Sequence, residues 1–155
     1  MGGPRDRRVG CVRCFGLAAG GLMLLLDSEA LSAVAHGPAG RRDRVRGLVA
    51  QMRARELPVA TVAAVLAEVV RGHPRHAAVF AGLRREKVQV HPVDARTGVR
   101  GQLLGAVDAS SELAVHAFVI AAADLLGGAV VATVDPDDLR RLAGGAPHIT
   151  VADIS

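Results

Sequence analysis

Short runs rich in apolar residues alternate along this chain with longer segments in which apolar and polar residues are mixed. The runs fall at 24–26, 58–61, 88–93, 129–134 and, more weakly, 149–151. A short apolar run is typical of a strand that is buried on both faces within a parallel sheet. We therefore predict strands at these five places, the last of them a small edge strand.

The mixed segments between the runs carry the periodicity of helices. Helices are predicted at 29–35, 41–56, 63–70, 76–86, 94–106, 112–126 and 136–142, with a turn at 36–40 and a loop at 107–111. The apolar side chains expected to point inward include Val45, Leu48, Val49 and Met52 in the second helix, and Val99, Leu103 and Ala106 in the fifth. The other face of the second helix is rich in arginine. We expect it to be solvated, and the alternative is a surface that binds a phosphate backbone or a partner.

Strands that alternate with helices imply βαβ units and a parallel sheet with helices packed on it. A chain of 155 residues is long enough for one domain that buries its own core. The predicted fold class is therefore α/β, with a central parallel sheet flanked by helices.

Composition narrows the functions that are compatible with this fold. Half of the residues are apolar but only 2% are aromatic, so the core must consist mainly of Ala, Val and Leu. So few aromatic rings argue against recognition of single-stranded RNA by base stacking. The 19 basic residues, nearly all Arg, outnumber the 15 acidic ones and give a formal net charge of +4. This excess suits a polyanionic partner without identifying one.

The first 22 residues are rich in Arg and Gly and become mildly apolar toward Leu26. The apolar run ends in Asp27-Ser28-Glu29 rather than in a small-residue cleavage site, which argues against a signal peptide. It is also too short to span a membrane. We expect residues 1–22 to be a disordered tail or an extension from a start assigned too far upstream.

Two predicted strands end in an acid, at Asp27 and at Asp135. Parallel sheets place their chemistry just beyond the carboxyl ends of the strands, so these side chains are expected at one edge. Glu68, in a largely apolar helix, could face the same edge, with Arg71 three residues on as an ordinary partner on the same helix face. Converging carboxylates are the ligands that Mg²⁺ and Mn²⁺ prefer. The simpler alternative is that Asp27 only caps a helix, although Ser28 is also well suited to that role.

The histidine pair His73 and His76 has a spacing that is compatible with a metal ligand pair. Because a helix is predicted to start after Pro74, we expect both to be ordinary surface residues.

Four stretches together resemble one family. They are LLLDSEALS at 24–32, AAVLAEVVRG at 63–72, VHPVD at 90–94 with GQLLGA at 101–106, and HAFVIAAADLLGGAVVATVDPDDLRRL at 116–142. In this order they are similar to the PIN-domain ribonucleases, and among these to the VapC-like toxins of type II toxin–antitoxin systems. The resemblance covers nearly everything after Met23 and implies a PIN-like three-layer domain over 23–155.

The resemblance also implies a function. Members of the family hydrolyse RNA phosphodiesters with Mg²⁺ or Mn²⁺, act in the cytoplasm, commonly form homodimers, and are usually blocked by a cognate antitoxin. Carried over to this chain, Asp27 is the first acid, Glu68 the second and Asp135 the fourth, all three being metal-binding and catalytic. We expect hydrolysis without a covalent intermediate, because the sequence indicates no base beside Ser28.

The third acid of the family is missing. His116 stands at its position if one extra residue is allowed at Gly127-Gly128, and Ala117 stands there if no gap is allowed. Either His116 or Glu112, one turn earlier on the same helix face, could serve as the fourth metal ligand. An equally open alternative is that His116 is a partly buried helix residue with a satisfied hydrogen bond. A neutral imidazole is a poor Mg²⁺ ligand but a better one for Mn²⁺. We therefore predict either a ribonuclease impaired at its metal site or a catalytically inactive PIN-like domain that binds RNA or a protein partner.

Overall fold

The computed structural model describes residues 22–105 and 113–155, with the backbone alone for 103–105. These residues form a five-stranded parallel sheet in the order β3-β2-β1-β4-β5. The strands are β1 (Leu24–Leu26), β2 (Val59–Val62), β3 (Gln89–His91), β4 (Ala129–Thr133) and β5 (Ile149–Asp153). The predicted α/β class, a central parallel sheet flanked by helices in a three-layer arrangement, is confirmed.

Helices connect the strands along the whole described chain. They are α1 (Ser28–His36), α2 (Ala39–Ala54), α3 (Ala63–Val69), α4 (Ala77–Arg85), α5 (Ala95–Gly105), α6 (Ala114–Leu125) and α7 (Pro136–Ala143), with a short 3₁₀ helix at Pro74–His76. The predicted turn at 36–40 is shorter than expected, because only residues 37 and 38 separate α1 from α2. The predicted strand at 88–93 is also shorter, and β3 lies at an edge of the sheet with Gln89 and Val90 exposed.

The middle of the sheet is the centre of the core. Leu24, Leu25 and Leu26 are fully buried, and all five residues of β4 beside them are buried as well. Burial of each leucine contributes about 1.5–3 kcal/mol, so β1 is a major source of stability despite its length. Its position between β2 and β4 fixes where residue 27 lies.

The helix periodicity predicts the buried face of α2 correctly but fails on α5. Val45, Leu48, Val49 and Met52 are all buried. Val99, expected to point inward, is 64% exposed, so that prediction is wrong. The face of α5 that approaches α6 includes Gly101 instead, where an added Cβ would lie 2.6 Å from the ring of Phe118. A helix that packs against its neighbour through a glycine has no large apolar side chain at that contact, so the sequence pattern does not show which face is buried.

Several expectations fall on residues outside the described ranges. They concern the segment 1–21, Ala106, the loop at 107–111, Glu112 and the side chain of Leu103. Within the described ranges, no helix combines the length and apolarity that crossing a membrane requires.

Two helices end in a left-handed residue that is not glycine. Glu56 after α2 has φ 57°, and Lys87 after α4 has φ 45°. In each case the next amide reaches back to the helix, Leu57 N–H to the Met52 carbonyl and Val88 N–H to that of Leu83, both at 2.9 Å. These are helix ends at which glycine is normally preferred.

We predict that Glu56→Gly increases the free energy of unfolding by about 0.5–1 kcal/mol, because glycine adopts this φ without steric cost. Urea denaturation provides the measurement. Glu56→Ala is the matched control, since it removes the same carboxylate but keeps a Cβ. If both variants gain equally, charge rather than backbone strain is the cause.

Candidate functional site

The carboxyl edge of the sheet brings Asp27 beside the end of β4. Leu26 is paired with Ala132 in the parallel register, and the next amide, that of Asp27, donates to the Ala132 carbonyl at 3.2 Å. The ladder places residue 27 opposite Thr133, with Asp135 two residues further along that chain. Adjacent strands lie about 4.8 Å apart, so the ends of β1 and β4 form one continuous edge.

The Asp27 side chain is buried, with 1% of its surface exposed. One carboxylate oxygen, Oδ1, accepts from the Ala30 amide at 2.8 Å and makes Asp27 the N-cap of α1. The prediction that Ser28 caps this helix is wrong, because Ser28 is its first residue. The alternative that Asp27 caps a helix is confirmed. This role uses only one of its two carboxylate oxygens.

Burial raises the pKa of Asp27 above its ordinary value. Hydrogen bonds from the Thr133 hydroxyl and the Ala30 amide, together with the attraction of His116, act in the opposite direction, whereas Glu29 adds to the rise. Loss of solvation is the largest of these effects. A positive charge that approaches a carboxylate in this position stabilises its ionised form.

Thr133 connects the two acids that follow the central strands. It is the last residue of β4 and is fully buried. Its hydroxyl donates to the Asp27 carboxylate and accepts from the Asp135 amide at 3.0 Å. One buried hydroxyl thus fixes the orientation of Asp27 and the backbone of Asp135 together.

Glu68 reaches the same region from α3. The Ser28 hydroxyl donates to its carboxylate, which links α3 to the first turn of α1 next to Asp27. The expectation that Ser28 has no base beside it is therefore wrong. The Arg71 guanidinium donates to the Glu68 backbone carbonyl at 3.0 Å, so the expected side-chain pair is a contact with the main chain instead.

Asp135 lies between β4 and α7 and is exposed. Its side chain makes no capping hydrogen bond to α7, where Pro136 occupies the first helical position. The carboxylate is thus held near the edge through its backbone while its side chain remains able to turn.

His116 lies in the first turn of α6 and acts electrostatically on Asp27. Its Nδ1 atom is buried and has no hydrogen-bond partner among the described residues. Ala117, the alternative position for the missing acid, is buried in the core and offers no ligand atom. Glu112, the proposed substitute, lies outside the described residues.

The structure brings the candidate residues together as pairs. Asp27 is close to His116, Glu68 is bonded to Ser28, and Asp135 is joined to Thr133 through its amide. Among residues 22–105 and 113–155, no three His, Cys, Asp or Glu side chains have the spacing of a formed metal site. The donor chemistry nevertheless suits a divalent cation, because it offers a desolvated carboxylate and an unpartnered buried imidazole nitrogen. Glu68 and Asp135 are exposed, so their side chains can change conformation without disturbing the core.

Three polar residues at this edge were not predicted from the sequence. Thr133 is the bridge described above, and the Thr61 hydroxyl donates to the Leu26 carbonyl at 2.8 Å, which fixes the last peptide of β1. His91, at the end of β3, has a buried Nε2 without a partner among the described residues. The two threonines could have been found from the sequence, because each is a hydroxyl residue at the end of an otherwise apolar predicted strand.

Comparison with protein-family models finds no match to this chain, and comparison with curated proteins finds no significantly similar sequence.

We predict that Asp27→Asn stabilises the metal-free protein at neutral pH and not in acid. The pKa of Asp27 is higher in the folded protein than its ordinary value of 3.8. The native protein therefore loses stability as the pH rises from 3.8 through the pKa of the folded state. Asparagine caps the helix equally well but carries no charge.

The measurement is urea unfolding in EDTA over a pH series. The difference between variant and native protein should be absent at the acid end, grow with pH and then level off. A difference that is constant with pH would show that burial of the charge is not its origin.

Proposed function

We propose that this protein is a divalent-metal-dependent ribonuclease of the PIN type that hydrolyses RNA phosphodiesters. The observation that carries the proposal is the buried carboxylate of Asp27 at the carboxyl end of the central strand. A desolvated carboxylate destabilises the fold when it is ionised, unless a cation approaches it. Two further carboxylates lie nearby: Glu68, in the helix that follows β2, is bonded to Ser28, and Asp135 follows β4 at the same edge.

Asp27, Glu68 and Asp135 would bind the Mg²⁺ or Mn²⁺, and His116 would be a weaker fourth ligand. When bound, the cation would supply Lewis-acid stabilisation of the phosphodiester and lower the pKa of the attacking water. The chain's own groups prepare the ligands, since Thr133 orients Asp27 and Ser28 orients Glu68. Although Ser28 is bonded to a carboxylate, that group is a weak base for an alcohol, and hydrolysis without a covalent intermediate remains the proposal.

The second candidate function is a catalytically inactive PIN-like module that binds RNA or a protein partner. His116 favours it, because an imidazole acts on Asp27 from the position at which, with one extra residue allowed at Gly127-Gly128, the resembled family has a third carboxylate. One carboxylate fewer weakens the attraction for a hard cation. The two candidates differ in whether RNA is cut or only bound.

The biological setting follows from the same resemblance. We propose a toxin that acts in the cytoplasm, that is held inactive by a cognate antitoxin, and that forms a homodimer. These three assignments depend on the nuclease activity, so the activity has to be tested first.

We predict that the protein cleaves structured RNA in the presence of Mn²⁺, and that EDTA or Asp27→Asn abolishes cleavage. Asp43→Asn, on the exposed surface of α2, is the matched control and should retain full activity. Gel analysis of RNA products provides the measurement. Binding of RNA without metal-dependent cleavage would contradict the nuclease and support the module.

We predict that His116→Asp increases Mg²⁺-dependent cleavage, because it restores a hard anionic ligand beside Asp27. Binding of Mg²⁺ should also tighten, which a larger rise of Tm on addition of Mg²⁺ would report. The control is the double variant Asp27→Asn/His116→Asp, which should stay inactive. No gain in either cleavage or Tm would contradict the view that His116 weakens the metal site.

A further inference from the structure

The connection between α3 and α4 concentrates positive and titratable side chains outside the carboxylate site. Arg71, His73, Arg75 and His76 follow one another within six residues, and we call these four residues the cationic turn. His36, at the end of α1, lies close enough to act electrostatically on His76. The sequence indicated only ordinary surface histidines here.

The two imidazoles build the turn by accepting hydrogen bonds from its backbone. His76 Nδ1 accepts from the amides of Arg71 at 3.0 Å and of His73 at 3.2 Å. His73 Nδ1 accepts from the Arg75 amide at 3.2 Å. Because Nδ1 is the acceptor in both rings, Nε2 carries the proton of the neutral imidazole and is left as a donor. Each histidine therefore fixes the backbone with one nitrogen and offers an N–H with the other.

Among the residues that the structure describes, no acid pairs with Arg71 or Arg75. Desolvation, followed by repulsion from Arg75, His73, His36 and Arg71, lowers the pKa of His76. The Arg71 guanidinium bonds a backbone carbonyl rather than a carboxylate. Within the described residues the Arg75 guanidinium makes no hydrogen bond or ion pair, and the side chain is exposed. The two arginines carry the charge of the turn, and together with the N–H groups of the neutral imidazoles they favour the binding of an anion.

The cationic turn is also connected to the proposed metal site. It begins directly after α3, and Arg71 contacts the backbone of Glu68, whose carboxylate is bonded to Ser28 beside Asp27. The seven residues of α3 span about 10 Å. A single polynucleotide strand that reaches the carboxylates can therefore also pass over the turn.

We infer that the cationic turn binds backbone phosphates of the RNA strand that enters the carboxylate site. The inference rests on the proposed function for the identity of the polyanion. Arginine and imidazole N–H groups suit phosphate oxygens, and contacts to phosphate need none of the aromatic rings that this chain lacks. The turn thus supplies affinity and orientation without base specificity.

The test measures binding alone. Fluorescence anisotropy with a short 2′-O-methyl RNA in EDTA, over a series of salt concentrations, compares the native protein with Arg71→Gln/Arg75→Gln. The matched control, Arg55→Gln/Lys87→Gln, removes two charges just before β2 and β3, at the opposite edge of the sheet. We expect the turn variant to lose affinity about two- to fivefold per charge, with a salt slope smaller by about 0.7 per lost contact.

The control variant should bind nearly as well as the native protein. Equal losses in both double variants, no loss in the turn variant, or no binding by the native protein would each overturn the inference. If the turn double variant does not fold, the single variant Arg75→Gln replaces it, because its guanidinium has no bonds to lose within the described chain.

A separate incubation of native protein with unmodified RNA and Mn²⁺ distinguishes this inference from the proposed function. Binding that depends on the turn, without any cleavage, would leave the inference standing and remove the nuclease. Cleavage together with turn-independent binding would do the reverse.

Discussion

The burial of one carboxylate, that of Asp27, constrains the arrangement of the whole carboxyl edge. A charged group removed from water must be compensated locally, and the compensation here comes from three separate elements. The Ala30 amide belongs to α1, the Thr133 hydroxyl to β4, and His116 to α6. The same carboxylate therefore caps the first helix, is bonded to the last residue of β4, and is acted on by a side chain in the first turn of α6.

Parallel pairing is what converts this local constraint into a site. Because β1 and β4 run in the same direction in neighbouring positions, the residues that follow them emerge together, far apart in sequence but side by side in space. The start of α1 adds the positive end of a helix dipole close to Asp27. None of these contributions removes the cost of burial fully, since the pKa of Asp27 remains raised. An additional positive charge would stabilise the buried carboxylate, and a divalent cation is one candidate for that charge.

The sequence was sufficient to predict the elements that depend on local pattern. The leucine run of β1, the buried face of α2 and the acids at two strand ends all follow from periodicity and composition. Contacts between distant residues were not predictable in this way. The bond between Ser28 and Glu68 and the bridge through Thr133 depend on how helices and strands pack. The exposed Val99 shows the same limit, because which face of α5 is buried is decided by the close approach of Gly101 to α6.

The proposed metal site is the central claim, since the nuclease proposal depends on it. The most direct measurement is a crystal structure of the protein grown with Mn²⁺, in which anomalous scattering locates the ion without reference to activity. The account predicts one strong anomalous peak within coordinating distance of Asp27, with oxygens of Glu68 and Asp135 turned toward it. A fully ordered carboxyl edge without a peak, or a peak coordinated elsewhere on the surface, would contradict it.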